Sequence, residues 1–311
     1  MSELDDKKKA LLARLLAKEG LTATQTPRIA ARIDAGPAVL SFAQRRLWLL
    51  EQMALPGPPA YNMPAAWIID GPLDPHALRD AFNRLLARHD ILRTRIVTID
   101  GEPRQVVDRD AVLVIGRDDV SSDADPLARF TATADALATQ PFDLGRAPLV
   151  RAHLTTLGHE RHGLAVVLHH IVADGWSLPI LMRELMAAYS DTRHGRPSSL
   201  PPLPLQYADY AEWHRTVIDS AEGRPHRDFW TRAFAHPPTP ADVPASAPRP
   251  TERSFRGAGL QWTFSSELAA ALHRLARTEG ASVFMTLLAS VQVLLARVSG
   301  QSDVFVGSPT V

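Results

Sequence analysis

The sequence predicts a mixed α/β protein, sheets with flanking helices, folded as two lobes. Three observations carry that reading. Strands and helices alternate along the chain in two blocks. A proline-rich passage from Arg193 to Leu205, with Pro197, Pro201, Pro202 and Pro204, lies between the blocks. The 311 residues, 45% hydrophobic and 22% charged, are enough for two cores. The same composition narrows the function. Lys and Arg (34) balance Asp and Glu (34), so no charge excess points to a nucleic acid or a membrane surface. Absence of cysteine excludes disulfides, cysteine-ligated metal and a thiol nucleophile, and a reducing cytoplasm is the expected location. No apolar run approaches the roughly 20 residues of a membrane helix, and the charged start, Met1 to Lys9, is not a signal peptide.

In order along the chain, residues 5–19 read as a helix with leucines at 11, 12, 15 and 16, ended by Gly20. It either docks an upstream subunit or packs on its own lobe. A polar stretch, 21–37, follows, and the compact part is expected to begin near Val39. Asp74-Pro75 opens a helix, Asp74 capping the free amides and Pro75 occupying the first position, with Leu78, Ala81, Phe82, Leu85 and Leu86 inward. Ile91 to Ile99 reads as a strand, and Asp100-Gly101 as a hairpin turn into a strand around Gln105 to Val107. Pro126 to Thr139 is a helix. Leu149–Leu157 and Leu164–His169 form an antiparallel hairpin, and Ser177 caps a helix with Leu178, Leu181, Met182, Leu185 and Tyr189 inward. Beyond the proline-rich passage, helices are expected at 207–219 and 225–235, then a second Pro-rich passage from Pro237 to Pro250. A strand over Leu260–Phe264, helices over 266–279 and 282–298, and a strand starting at Val304 complete the series. Trp48, Trp213 and Trp230 are assigned to the core or a lobe interface, and Tyr207 and Tyr210, three apart, lend at most one helix face to function.

The residues with chemistry stand where an apolar strand, Leu164–Leu168, runs into His169 and His170, four positions before Asp174-Gly175. Neighbouring strand residues point to opposite faces, so only one histidine can face a given cavity. The pair therefore does not suit zinc, and no metal is expected. A strand-end histidine suits proton management, taking a proton from an attacking amine or hydroxyl. Asp174 can fix the local geometry by pairing with an arginine. Gly175 permits the close backbone approach that meets an oxyanion with an N–H donor. H-x-x-x-D alone also arises where two histidines merely end a buried strand; the longer string His169 to Ser177 is much rarer.

That string resembles the central signature of condensation domains of nonribosomal peptide synthetases, in the chloramphenicol-acetyltransferase-like superfamily. Five further stretches resemble the family's motifs in the family's order. They are Ser41–Leu50 with Tyr61–Pro64, Arg88–Thr94 (Asp90 standing where glutamate is usual), Pro141–Leu149, Tyr207–Trp213 and Val306–Pro309.

The resemblance implies two chloramphenicol-acetyltransferase-like lobes in a V, with the active site in a tunnel between them. Its boundaries are 1–37 for a helix and linker, 38–192 for the N-terminal lobe, 193–206 for the linker and 207–311 for the first part of the C-terminal lobe. It implies partners: upstream and downstream peptidyl carrier proteins, whose phosphopantetheine arms present donor and acceptor thioesters, and an adjacent adenylation domain. No cofactor is expected to bind directly. The acceptor amine attacks the donor thioester carbonyl, with His170 as the acting residue and His169 packing. Asp174 is structural, paired with Arg88 or Arg93. Members run to about 450 residues, so the second lobe is expected to be incomplete, the apolar helix 282–298 to lack its sheet, and the 311-residue chain alone to be weakly stable or inactive. Two alternatives stay open: a stand-alone acyltransferase using coenzyme A or a carrier thioester, and a non-catalytic carrier-recruiting module.

Overall fold

A computed structural model describes residues 28–34, 36–53, 59–236, 243 and 259–308. The leucine-striped helix expected at 5–19 and the passage from Pro237 to Pro250, Val243 apart, lie outside them. The chain divides into two compact units, the first ending at Arg224 and the second beginning at Pro225.

The first unit is built on two sheets. The larger has strand order β2-β7-β6-β5 (Asn62–Asp70, Arg161–His169, Val150–Gly158, Ile115–Asp119), with β5 and β6 parallel and the other pairs antiparallel. The smaller, β1-β4-β3 (Ala38–Val39, Glu102–Val107, Thr94–Ile99), is antiparallel. Six helices belong to this part of the sequence: α1 Phe42–Gln52, α2 Pro75–Arg88, α3 Pro126–Ala138, α4 Ser177–Arg193, α5 Tyr207–Asp219 and a 3-10 turn at Asp90–Arg93. Alternation along β6 and β7 sends Val150, Ala152, Leu154, Leu164, Val166 and Leu168 to one face, where α2 and α4 cover them. The opposite face carries Ala165 against α3 through Phe130. A Cβ on Gly163 would lie 2.5 Å from the Phe130 ring, so only glycine allows α3 this close.

Most local expectations are met. Asp74 accepts the amides of His76 and Ala77 at the start of α2. Asp100 and Gly101 both have positive φ (51° and 79°) in the β3–β4 hairpin. The hairpin of β6 and β7 is antiparallel, and the five expected side chains of α4 pack on the main core. Other expectations need correction. Residues Ile91–Arg93 form the 3-10 turn, because the Leu92 amide bonds His89 and the strand pairs only from Thr94. Ser177 does not cap α4; Trp176 holds the cap position without a side-chain bond, and the Ser177 hydroxyl is taken by Asp174. Helix α5 stays with the first unit: Tyr207 Oη lies 2.9 Å from Ser41 Oγ, and Asp209 accepts the Arg32 amide. The break between units thus follows Arg224, downstream of the 193–206 passage.

The second unit contains α6 Arg224–Ala233 (but for its first residue), α7 Ser266–Thr278 and α8 Val283–Ser299. Ser265 and Ser282 cap α7 and α8. Neither Leu260–Phe264 nor Val304–Val306 is a strand, because no strand pairs with either among the described residues. Trp230 is not a core residue of this unit but is 58% exposed, stacked on Phe234. No single described helix is long and apolar enough to cross a membrane; α7 and α8 reach that length only together and are bent by 100°.

Candidate active site

Strand β7 lies between β2 and β6, and both neighbours hold its backbone to the last residue. The His169 amide donates to the Leu149 carbonyl (3.1 Å) and the His170 amide to the Tyr61 carbonyl (2.8 Å). The chain then turns, closed by the Val172 amide on the His169 carbonyl (3.0 Å). Ile171 and Val172 anchor the turn from below in a cluster with Leu40, Ile96, Leu144 and Leu149.

The two histidines part as the strand geometry requires. His169 is buried, with Phe142 edge-on at 5.9 Å between ring centroids. Its Nδ1 accepts the Ile171 amide (3.0 Å), so the ring proton sits on Nε2 and is donated to Glu51 Oε1 (3.2 Å). Burial pushes the His169 pKa down against the opposing pull of Glu51, which keeps the ring neutral. His170 is exposed. Its Nδ1 lies 2.9 Å from the Ala173 carbonyl, which can only accept, so Nδ1 carries the proton and the Nε2 lone pair remains available.

Asp174 closes the turn without an arginine. Its Oδ1 accepts the Ser177 amide (2.8 Å) and hydroxyl (2.6 Å), while its own amide donates to Ser177 Oγ (3.1 Å). Burial raises the Asp174 carboxyl, but these bonds, the Trp176 amide and the nearby His170 outweigh it and hold the group below the usual carboxylate range. The expected pairing with Arg88 or Arg93 is therefore corrected. Arg88 Nε binds Glu184 Oε2 (2.9 Å) on α4, where His89 Nε2 also binds (2.6 Å). Arg93 binds Asp90 (2.6 Å) and the Ala87 carbonyl. A local serine satisfies Asp174 at no cost in chain closure, and both arginines are taken by carboxylates nearer to them. Glu184 lies on α4, the helix that leaves the motif, so Arg88 and His89 meet that helix rather than Asp174. Chain neighbours aside, nothing among the described residues lies within 4 Å of where a Cβ on Gly175 would be, so the space beside its backbone is open.

Helix α1 supplies the parts that sequence reasoning missed. Gln44 is buried: its Nε2 donates to the Ile171 carbonyl (3.3 Å), and its Oε1 accepts the Ser41 amide in a capping box. Gln44 and Glu51 stand seven apart, two turns of helix, so both face the histidine turn. That spacing of polar groups on one face was the available signal. Tyr207, bonded to Ser41, ties α5 to the same capping box; burial raises its pKa, partly opposed by the Ser41 bond. Tyr210 turns instead to His214. No group of three or more His, Asp or Glu arranged to hold a metal occurs among the described residues.

Comparison with known proteins gives these surroundings a context. The sequence model of the Condensation domain matches residues 35–311. Chondramide synthase cmdD of Chondromyces crocatus is 39% identical over 294 residues, which is 94% of this chain and 7% of that protein. Phosphinothricin tripeptide synthetase PhsC of Streptomyces viridochromogenes is 38% identical over 279 residues, 89% of this chain and 26% of that one. Among solved structures, the first condensation domain of the CDA synthetase superposes with a TM-score of 0.68 at 26% identity, covering 87% of this chain and 64% of that chain. The X-domain from teicoplanin biosynthesis gives 0.78 at 28% identity, covering 88% and 60%. The chain thus spans under two thirds of these solved chains and a small part of the synthetases.

Proposed function

The chain belongs to the condensation-domain family, and on that premise we propose that it forms peptide bonds within a nonribosomal peptide synthetase. The substrates are a donor acyl or peptidyl thioester and an acceptor aminoacyl thioester, each on the phosphopantetheine arm of a carrier protein, with an adenylation domain loading the acceptor. The acceptor amine attacks the donor carbonyl, the C–N bond forms, the C–S bond breaks, and the proton lost by the amine ends on the thiolate, leaving a free thiol on the donor carrier's arm while the chain passes to the acceptor.

The observation that supports this reading is the exposed His170 with Nδ1 committed to a carbonyl and Nε2 open. Nε2 accepts the amine N–H, aims the nitrogen lone pair at the carbonyl, and takes up the proton as the C–N bond forms. Asp174 and Ser177 fix the turn beside it, and the open space over Gly175 leaves its backbone approachable.

The likeness to the X-domain, a protein solved in complex with OxyB (TM-score 0.76), favours a second reading, a non-catalytic recruiting module. The two separate on transfer between loaded carriers by a condensation domain in which residues 35–311 replace the matching residues of a solved relative. Peptidyl product on the acceptor carrier is expected. A folded but inert chimera would favour recruitment, and transfer from acyl-coenzyme A to a free acceptor would favour a stand-alone acyltransferase.

A further inference from the structure

The buried histidine of the motif has a partner that no motif assigns. The His169 side chain is 2% exposed and that of Glu51 24%, and the two meet at 3.2 Å from different elements, β7 and α1. His169 is bonded on both ring nitrogens, to the Glu51 carboxylate on one side and to the Ile171 amide on the other. From that ring the bonds run on to the reactive group. The Val172 amide holds the His169 carbonyl, and the next residue, Ala173, offers the carbonyl that His170 Nδ1 uses.

We propose that Glu51 is a positioning residue for His170. Its carboxylate fixes the buried His169 ring with the proton on Nε2, which leaves Nδ1 to hold the Ile171 amide and sets the turn whose Ala173 carbonyl keeps the His170 proton on Nδ1. The inference rests on the reading of His170 as the group that meets the amine. It adds that His170 Nε2 is available because of a carboxylate on another element, α1. A carboxylate suits this task because an ionised acceptor strengthens a bond to a neutral donor. Gln44, donating to the Ile171 carbonyl, holds the other side of the same peptide segment, so the turn is gripped by one helix at two points.

The test needs no catalysis. Long-range proton–nitrogen spectra of the histidine rings, taken on the 311-residue chain above pH 8, read which nitrogen carries each proton. In the unaltered chain His169 is expected protonated on Nε2 and His170 on Nδ1. In Glu51→Leu, which removes the acceptor, His170 is expected to shift to a mixture with the Nε2-protonated form. Hydrogen exchange at Ile171 and Val172 should rise about tenfold, the loss of one bond to a charged group, with Leu164 unchanged. Glu51→Gln keeps an acceptor oxygen and should retain the Nδ1 form of His170, with an exchange rise at Ile171 of only a few fold; it also serves if the leucine variant unfolds. His170 remaining on Nδ1 in Glu51→Leu, exchange rising equally at Leu164 and Ile171, or a glutamine variant that loses the Nδ1 form would each overturn the proposal. Failure of carrier-to-carrier transfer would leave these spectra untouched, so the two readings fail separately.

Discussion

The two units have equally legible helices and quite different interiors. Ser265 and Ser282 cap α7 and α8 as well as Asp74 caps α2. Yet every buried apolar side chain among the described residues, Ala276 excepted, lies before Arg224. Leu164 in β7 is 0% exposed, whereas Phe284 and Leu294 in α8 are each 60% exposed. The difference is a sheet. Helices α2, α3 and α4 find β-strands to cover, and no strand lies among the described residues of the second unit. Capping and spacing decide that a helix forms, and burial decides what it contributes to stability. An apolar face of this kind is where association begins.

The contrast can be broken most sharply by paired truncations. Leu164→Ala should cost about 3–4 kcal/mol through lost burial and a residual cavity, while Leu294→Ala should cost under about 0.5 kcal/mol. Urea unfolding followed by circular dichroism measures both, and equal costs would abolish the distinction between units. A smaller effect is expected from Glu184→Ala, which strands Arg88 and His89, both largely covered, and should cost about 2 kcal/mol. Glu267→Ala in the exposed start of α7 should leave the same transition where it was.

A graded effect is expected with pH. His169 is held neutral by burial, so its folded pKa lies below the unfolded value of 6.5. Below about pH 6.5 the unfolded chain binds a proton that the folded one does not, and stability falls as pH drops toward the folded value. Glu184, raised by burial but lowered more by Arg88 and His89, adds a second loss at lower pH: its contribution is full above about 4.5 and disappears as pH falls through its folded pKa. His169→Asn should flatten the first slope in the first unit and leave the second intact. Unfolding midpoints measured between pH 7 and 4 would show either two slopes or one.

Much of the first unit is legible in the sequence, for identifiable reasons. The β6–β7 hairpin and α2 carry strong periodicity and turn chemistry. Strand β2 escapes such a reading because Pro64 interrupts its pattern, yet β2 is the edge of its sheet, where a missing amide costs no ladder bond. β5, Ile115–Asp119, escapes it because the strand is short and polar at the other edge. Leu260–Phe264 and Val304–Val306 look like strands by composition, but a strand exists only through its neighbour. At the site, strand alternation separates His169 from His170 correctly. The partners of Asp174, Arg88 and Arg93 are not legible, because ion pairing follows distances between elements that no single stretch of sequence contains.

The central claim is that of two adjacent histidines the exposed one acts and the buried one holds. Its most direct test is carrier-to-carrier transfer by the chimera bearing residues 35–311, compared with the same chimera carrying His170→Ala. Transfer should fall by about 10²–10⁴-fold, the usual worth of a positioned acid–base group, with the unfolding midpoint little moved because the His170 side chain is exposed and gives up a single hydrogen bond, to the Ala173 carbonyl. An undiminished rate in His170→Ala would contradict the assignment and remove His170 from the chemistry.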